Sequence, residues 1–212
     1  MKKTTKTTTI QKIKDHAIAN QIPIIQDEVA KVLKILIETY DVKKVLEIGT
    51  ATSYSAHVMA SCGSEVWTIE RNALRYSIAE DFVKNSEYHH KIHLIFDDAL
   101  THTLKENHFD LIFIDAAKSQ YIPFFEKYQH YLNPKGIMIV DNIFFHHLDP
   151  LKVKRPTRQL LKKIEKFKLF LSVHPNFQSQ ILSYGDGLSI SYQDHERYIE
   201  MQSIIESTLQ KW

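Results

Sequence analysis

Acidic side chains stand at or near the end of each of the first five strands that the sequence predicts. In a sheet of parallel strands these ends meet at one edge, where ligands bind. Several carboxylates converging there would place too much negative charge together unless a cation or a hydroxyl-rich ligand is bound. The positions are Glu47, Glu70, Asp97 with Asp98, Asp115, and Asp141 with Asn142.

Glu70 and the loop after the first strand indicate a nucleoside cofactor. Glu70 directly follows the second predicted strand, where a carboxylate can accept hydrogen bonds from ribose hydroxyls. The first loop contains Gly49, but Ala51 and the absence of a later glycine break the G-x-G-x-x-G pattern that cradles a pyrophosphate. This argues against NAD and favours S-adenosylmethionine, a nucleoside cofactor without a pyrophosphate.

Asp115, Asp141 and Asn142 offer three hard oxygen ligands from two neighbouring strand ends. Magnesium commonly uses one or two carboxylates and keeps other positions open for water or substrate, which fits this set. The alternative is that Asp115 caps the helix that follows it and that Asp141 and Asn142 cap the next loop. Spacing alone leaves both interpretations open.

The elements that must position these residues alternate between short apolar runs and helical patterns, which predicts a parallel sheet covered on both faces. A Tyr-Gly-Asp-Gly turn at 184–187 then predicts an antiparallel hairpin at one edge. We predict a doubly wound α/β fold with a mostly parallel seven-stranded sheet. The predicted strands are 45–48, 65–69, 92–96, 111–114, 137–140, 178–183 and 188–192; the predicted helices are 10–20, 27–40, 53–61, 72–85, 99–105, 119–132, 157–171 and 194–212.

Composition bounds the class of protein. Of the 212 residues, 43% are hydrophobic and 25% charged, as in one soluble globular domain, and we expect a single domain over 1–212. Within it, 1–21 would form an N-terminal tail and helix, and 193–212 a C-terminal helix. No apolar run could span a membrane, and no secretory signal is recognisable. Cys62 is the only cysteine, which excludes internal disulfides and zinc sites with several cysteines, so we expect a cytoplasmic protein.

Five sequence blocks, in order, resemble the cation-dependent O-methyltransferases of the caffeoyl-CoA and catechol type. Two later stretches, HP at 174–175 and GDGLSI at 185–190, are similar to a bacterial branch that includes the tRNA 5-hydroxyuridine methyltransferase. The likeness covers roughly residues 22–191. The blocks are VLEIGT at 45–50, TIER at 68–71, DAL at 98–100, FIDAAK at 113–118 and DN at 141–142.

The resemblance implies an S-adenosylmethionine- and magnesium-dependent O-methyltransferase, with manganese as the alternative metal. It implies metal ligation by Asp115, Asp141 and Asn142, with Lys118 as the catalytic base beside Asp115. One departure is Ser53, which stands where the family usually has glycine. The cofactor contacts that it implies are Glu47, Gly49, Ser55, Glu70, Asp98, Ala99 and Asp115.

A basic segment bears on the acceptor of the methyl group. The net charge is only +2, but residues 151–168 contain eight basic residues and a single acidic one. Arg155, Arg158, Lys162 and Lys166 would rim the mouth of the site and contact RNA phosphates, which favours the anticodon loop of tRNA as the substrate. The alternatives are a solvated lysine face on an enzyme for small catechols, and a catalytically silent nucleic-acid-binding protein.

The C-terminal residues form an apolar stripe at helical spacing. Such a stripe must be covered in water, either by the chain's own sheet or by a second subunit, and we expect a homodimer. The stripe consists of Tyr198, Met201, Ile205, Leu209 and Trp212.

Overall fold

The computed structural model describes residues 8–106, 108–144 and 152–194, together with positions 196, 203, 204 and 207. Its strands form one seven-stranded sheet in the order β3-β2-β1-β4-β5-β7-β6, so the predicted fold class is confirmed. The strands are β1 (Lys44–Ile48), β2 (Glu65–Glu70), β3 (Ile92–Phe96), β4 (Phe109–Ile114), β5 (Leu132–Asp141), β6 (Gln178–Leu182) and β7 (Leu188–Tyr192).

Helices cover both faces of the sheet, and this is why its central strands read as continuous apolar runs. Side chains of β1 alternate between two cores, with Val45 on one face and Leu46 on the other. The first core packs under α1 to α4, and the second under α5 and α6. The helices are α1 (Thr9–Ala19), α2 (Asp27–Tyr40), α3 (Tyr54–Ser61), α4 (Ala73–Lys84), α5 (Tyr121–Tyr128) and α6 (Arg155–Ser172).

The strand order reverses between β1 and β4, and this reversal creates the crevice in which a ligand can lie. Strands β3, β2, β1, β4 and β5 are parallel, so all five carboxyl ends meet at one edge. β7 pairs antiparallel with both β5 and β6. The predicted hairpin is therefore present, and its second strand lies between β5 and the sheet edge.

The predicted helix at 99–105 is wrong, because only one turn forms there. The Asp98 carboxylate accepts the N–H of Leu100 at 2.8 Å and ends the regular structure locally. The Nζ of Lys127 then donates to the carbonyl oxygens of Ala99 and Leu100 at 2.8 and 3.0 Å. These contacts with Lys127 stabilise the turn in place of continued helical hydrogen bonds.

The predicted helix at 119–132 is shorter than expected. α5 is flanked by 3₁₀ turns at Lys118–Gln120 and Gln129–Tyr131, and β5 already begins at Leu132. Pro123 lies in the first turn of α5, where its missing N–H is not needed.

α6 begins two residues earlier than predicted, with Pro156 in its first turn. Its buried face contains Leu161, and Leu160, which the helical spacing placed on that face, is only half-buried. The remainder of the predicted apolar face, Ile164, Phe167 and Leu171, is buried as expected.

The predicted homodimer and the predicted cytoplasmic location are not tested by the described residues. The apolar stripe of Tyr198, Met201, Ile205, Leu209 and Trp212 lies outside the described residues, so the homodimer stays a prediction. Within the described part of the chain, no helix has the length and apolar character needed to cross a membrane. The cytoplasmic location also stays a prediction.

Candidate active site

A cavity of about 320 Å³ opens at the carboxyl ends of β1, β2 and β4. Six of the predicted site residues contribute to its wall: Gly49, Glu70, Asp98, Ala99, Asp115 and Lys118. Further lining residues, to which the sequence reasoning assigned no role in the site, are Pro23, Arg71, Arg75, Gln120 and Phe124. The two arginines could have been found from their positions, because Arg71 directly follows β2 and Arg75 lies in the first turn of α4. Nothing in the sequence singles out Pro23.

Gly49 sets how closely the ends of β1 and β4 approach. Its φ is +103°, and a Cβ placed on it would lie 2.3 Å from the carbonyl oxygen of Asp115. The N–H of Asp115 donates to the carbonyl of Ile48 at 3.0 Å, which holds the two strand ends together. Only glycine is compatible with both the dihedral angle and this approach.

The Glu70 carboxylate anchors the loop after β1. It is buried, and its two oxygens accept the N–H of Ala51 at 3.0 Å and the N–H of Asn72 at 2.8 Å. Each carboxylate oxygen has a second lone pair, so Glu70 can still accept hydrogen bonds from a ligand in the cavity. Its position is the one from which a ribose would be bound.

Glu47 and Ser55 do not line the cavity but lie behind its wall. The Ser55 hydroxyl donates to one Glu47 oxygen, and the Thr68 hydroxyl donates to the other at 2.5 Å. The Thr50 and Thr68 hydroxyls lie 2.6 Å apart and extend this buried network. Burial raises the pKa of Glu47 to about 8. Their predicted contact with the cofactor stays a prediction, and their observed contacts fix the loop between β1 and α3.

Ser53, at the position where the family resemblance implies glycine, adopts a backbone conformation that glycine enters easily. Its φ and ψ are 65° and 19°, in the left-handed region, and its side chain is buried. Its carbonyl oxygen accepts the N–H of His57 at 3.0 Å and also lies 2.8 Å from Nδ1 of the same residue. The loop path expected with glycine is therefore compatible with serine, at the cost of backbone strain.

Asp98 is tied to the rim of the cavity by hydrogen bonds. An Arg71 guanidinium nitrogen lies 3.1 Å from its Oδ2, and the N–H of Leu100 donates to its Oδ1. These donors hold the pKa of Asp98 below its usual range, with the backbone N–H as the larger cause. Asp98 is thus a carboxylate with fixed orientation beside Ala99.

Asp115, Asp141 and Asn142 meet at the ends of β4 and β5. The Asn142 side-chain nitrogen lies 3.4 Å from Oδ1 of Asp115, and the Asn142 backbone N–H donates to Oδ1 of Asp141 at 2.7 Å. Burial raises the pKa of both carboxyls, the charge of Asp115 raises that of Asp141 further, and the charge of Lys118 opposes both shifts. Ionising both carboxyls is therefore unfavourable beside Lys118 and Arg75 alone, and a further cation between them would relieve that cost.

This donor set fits a divalent cation, since two carboxylates and an amide oxygen are the hard ligands that magnesium and manganese accept. Asn142 would present its oxygen after a 180° rotation of the amide, whose two ends are interchangeable in shape. Among the described residues, no group of three or more histidine, cysteine or carboxylate side chains can hold a metal. The set proposed here has only two such side chains, because its third ligand is the amide of Asn142. The metal therefore stays a prediction.

Tyr121 connects these ligands to α6. Its hydroxyl donates to the carbonyl oxygen of Asp141 at 2.6 Å, and its ring centroid lies 5.3 Å from that of Phe167. α6 begins twelve residues before Phe167, or about 18 Å along the helix axis. Its other end leads past Phe177, whose ring packs on Phe125, to the start of β6 at the opposite end of the sheet.

The first three turns of α6 therefore extend past the carboxyl ends of the strands, on the side of the cavity. Arg155, Arg158, Lys162 and Lys166 are all exposed on this helix. Arg158 also donates to the carbonyl of Val153 at 3.3 Å. None of these four lines the cavity, so any role for them concerns its surroundings.

Three comparisons place the chain among known proteins. A model of the O-methyltransferase family matches residues 2–193. The caffeoyl-CoA O-methyltransferase of Populus kitakamiensis is 28% identical over 171 residues, which are 74% of this chain and 73% of the relative. The crystal structure of a candidate caffeoyl-CoA O-methyltransferase from Staphylococcus aureus has a TM-score of 0.82 at 32% identity, covering 87% of this chain and 92% of that one.

A further crystal structure, of an O-methyltransferase from Bacillus cereus in complex with SAH, has a TM-score of 0.76 at 22% identity and covers 90% of this chain and 92% of that one. At this identity the likeness concerns the fold. The predicted resemblance to caffeoyl-CoA-type enzymes is confirmed at the level of the family, and so is the predicted enzyme class. The tRNA 5-hydroxyuridine branch stays a prediction. With nearly the whole length matched, this chain belongs to the O-methyltransferase family.

Proposed function

We propose that this enzyme transfers a methyl group from S-adenosylmethionine to a hydroxyl of an acceptor that carries a second, vicinal oxygen, and that it requires a divalent cation. The observation that carries the proposal is that Glu70 and Asp115 line the same cavity. Asp115 lies beside Asn142, which in turn contacts Asp141. The SAH bound by the Bacillus cereus protein of the same fold supports the choice of cofactor.

The cofactor half of the site would be formed by the ends of β1, β2 and β3. Glu70 would accept hydrogen bonds from the ribose, and Asp98 with Ala99 would border the base. Gly49 has no side chain to obstruct the space between β1 and β4. S-adenosylmethionine supplies an activated methyl group on a sulfonium, so the protein has only to orient it.

The acceptor half would be formed by Asp115, Asp141 and Asn142. A divalent cation held there would offset their negative charge and act as a Lewis acid that lowers the pKa of an acceptor hydroxyl. Tyr121 keeps Asp141 in place through the hydrogen bond to its carbonyl. These residues therefore orient the acceptor beside the cofactor half.

Lys118 is the group that we assign as base. It stands three residues after Asp115 on the cavity wall, and it receives the proton of the acceptor hydroxyl at Nζ. To accept this proton, Lys118 must hold Nζ as a neutral amine before the transfer. The proton transfer precedes or accompanies attack on the methyl group.

The first experiment measures methyl transfer from labelled S-adenosylmethionine to a simple catechol as the probe acceptor. With magnesium present we expect turnover, and in excess EDTA we expect none. Asp141→Asn should abolish turnover while SAH binding, measured by calorimetry, persists. Asp81→Asn, on the exposed face of α4, is the matched control and should leave both unchanged. Full turnover in EDTA contradicts the metal part of the proposal.

The finer part of the proposal is that the acceptor is 5-hydroxyuridine at the wobble position of tRNA. Its O4 and 5-hydroxyl are vicinal oxygens. The exposed basic residues of α6 support this acceptor, since they would contact the phosphates on either side of an inserted base. Single-stranded loops offer bases that can be turned out in this way. The product would be 5-methoxyuridine.

A small catechol-type acceptor is the second candidate. It is favoured by the names of relatives, such as the Populus kitakamiensis enzyme that acts on caffeoyl-CoA. It requires the same strand-end residues and makes no use of the basic face of α6. The two candidates therefore differ in what that face does.

Two measurements separate them. Mass spectrometry of tRNA nucleosides should show loss of 5-methoxyuridine-type modification in cells that lack the protein. In vitro, Lys162→Glu with Lys166→Glu should weaken tRNA binding and reduce the slope of log affinity against log salt by about 1 to 2. Lys31→Glu with Lys34→Glu, an equal charge change on exposed positions of α2, is the control. Unchanged modification with intact catechol turnover would favour the small acceptor.

A further inference from the structure

Ser53 is under backbone strain at a place where the cofactor loop cannot move freely. A serine with φ of 65° and ψ of 19° lies in a region that glycine enters easily and other residues rarely do. Its N–H donates to the carbonyl of Thr50 at 2.8 Å, and its hydroxyl donates to the carbonyl of Thr52. These bonds hold the residue from the N-terminal side, within the loop itself.

His57 holds Ser53 from the other side. The carbonyl oxygen of Ser53 accepts the backbone N–H of His57, which is the first hydrogen bond of α3. The ring Nδ1 of His57 lies 2.8 Å from the same oxygen. A carbonyl oxygen can only accept, so Nδ1 must carry a proton. The backbone bond is made by any residue at this position, but the second bond needs a side-chain donor.

The other described neighbours of His57 do not pair with its second nitrogen: the Tyr88 ring lies edge-on, 6.1 Å between ring centroids, and Glu87 acts only through its charge. The His57 side chain is fully buried, and within the part of the chain that the structure describes its Nε2 has no hydrogen-bond partner. Burial lowers the pKa of His57, which favours a neutral ring with a lone pair on Nε2. An unpartnered buried nitrogen destabilises the fold. An apolar side chain would avoid that cost but would leave the Ser53 carbonyl with one donor.

The residues on both sides of Ser53 are anchored at the cavity: Ala51 at its wall and Ser55 behind it. Ala51 lines the cavity and donates its N–H to Glu70, while Ser55 donates its hydroxyl to Glu47. If Ser53 relaxed to a negative φ, the chain direction would change between these two anchors. The contacts of Ala51 and Ser55 could then not both be kept.

We infer that His57 is a positioning residue that holds Ser53 in the left-handed conformation and thereby keeps the cofactor loop in its binding geometry. The second hydrogen bond from the His57 side chain stabilises the positive φ of Ser53. A glycine at position 53 would adopt that φ without such a bond. The inference rests on the proposed use of this loop for S-adenosylmethionine.

The test is a double-mutant cycle read out by SAH affinity in calorimetry. His57→Leu should weaken SAH binding about tenfold, the usual value of one lost hydrogen bond. In the Ser53→Gly background the same change should weaken it less than about twofold, because glycine does not need the second donor. His57→Asn, which keeps a side-chain N–H at a similar distance, should restore binding to within about threefold of wild type.

If His57→Leu weakens binding equally with Ser53 and with Gly at position 53, the residue acts only through general packing and the inference is overturned. The same holds if Asn fails to restore affinity in a variant that unfolds at the wild-type temperature. If the wild-type protein itself binds no SAH, the proposed cofactor is wrong, which is a separate result. Unfolding temperatures of all five proteins, the four of the cycle and His57→Asn, exclude global unfolding as the cause.

Discussion

Glu47→Gln should change how the stability of the protein depends on pH. The Glu47 carboxyl is fully buried, and burial raises its pKa from 4.5 to about 8. In the unfolded chain the group ionises near 4.5, so between pH 4.5 and 8 the folded protein binds one more proton there than the unfolded protein does. Stability contributed by the protonated form is thus fully present below pH 4.5 and is lost as pH rises toward 8.

The size of the effect follows from the two pKa values. Their difference, at about 1.4 kcal/mol for each pKa unit, corresponds to on the order of 5 kcal/mol at pH 8 and above. This is an upper bound, because movement of the loop or entry of water would reduce it. Glutamine has the same shape and cannot ionise, so Glu47→Gln should lack this loss. Its advantage over wild type should grow by about 1.4 kcal/mol per pH unit between pH 5 and 8.

The assay is urea unfolding of both proteins at half-unit steps from pH 4 to 9. Other groups that titrate in this range are common to both proteins and cancel in the difference. Glu38→Gln, at an exposed position of α2, is the control and should give a difference curve that is flat. Parallel stability curves for wild type and Glu47→Gln from pH 5 to 8 would refute the reasoning, since the buried carboxyl would then ionise as easily as in the unfolded chain.

Three further substitutions probe the crevice. Gly49→Ala should reduce SAH affinity at least tenfold and lower the unfolding temperature, because its Cβ would meet the Asp115 carbonyl at 2.3 Å; an alanine variant with wild-type affinity would contradict the close approach. Glu70→Ala should weaken SAH binding by about 1–3 kcal/mol in calorimetry, whereas an unchanged dissociation constant would remove Glu70 from the cofactor site. Tyr121→Phe should lower the free energy of unfolding in urea by about 1–2 kcal/mol, because the hydrogen bond to the Asp141 carbonyl is lost. It should also raise the magnesium concentration needed for half-maximal turnover. Wild-type behaviour in both assays would argue against that bond.

The parallel strands could be predicted because strands of a sheet covered on both faces read as continuous apolar runs between helical patterns. That pattern is visible in the local sequence. β3 and β7 have the predicted bounds, and β1 and β2 differ by one residue. The segment after Asp98 could not be predicted in the same way. Its carbonyls are engaged by Lys127, whose proximity is a property of the folded chain and not of the local sequence.

Part of the candidate site followed from the sequence for a geometric reason. Residues at the carboxyl ends of parallel strands reach the same edge, so Glu70, the last residue of β2, and Asp115, the first after β4, line one cavity as expected. Glu47 lies one residue before the end of β1, and strand alternation turns its side chain to the face covered by α3, where it meets Ser55. The partnership of Ser53 with His57 needed the observed positive φ, which spacing alone does not reveal.

The antiparallel placement of β7 has a consequence for how the chain is made on the ribosome. β5 is completed at Asp141, but the strand that covers its open side, β7, is not synthesised until residues 188–192. During that interval the nascent chain presents a long strand with a free edge whose side chains, from Ile137 to Val140, are fully buried in the finished protein. Unprotected apolar edges favour pairing with other chains. Because β6 and β7 are close in sequence, they can form a hairpin early and dock as one unit, so the exposure ends once this hairpin has been synthesised and has docked.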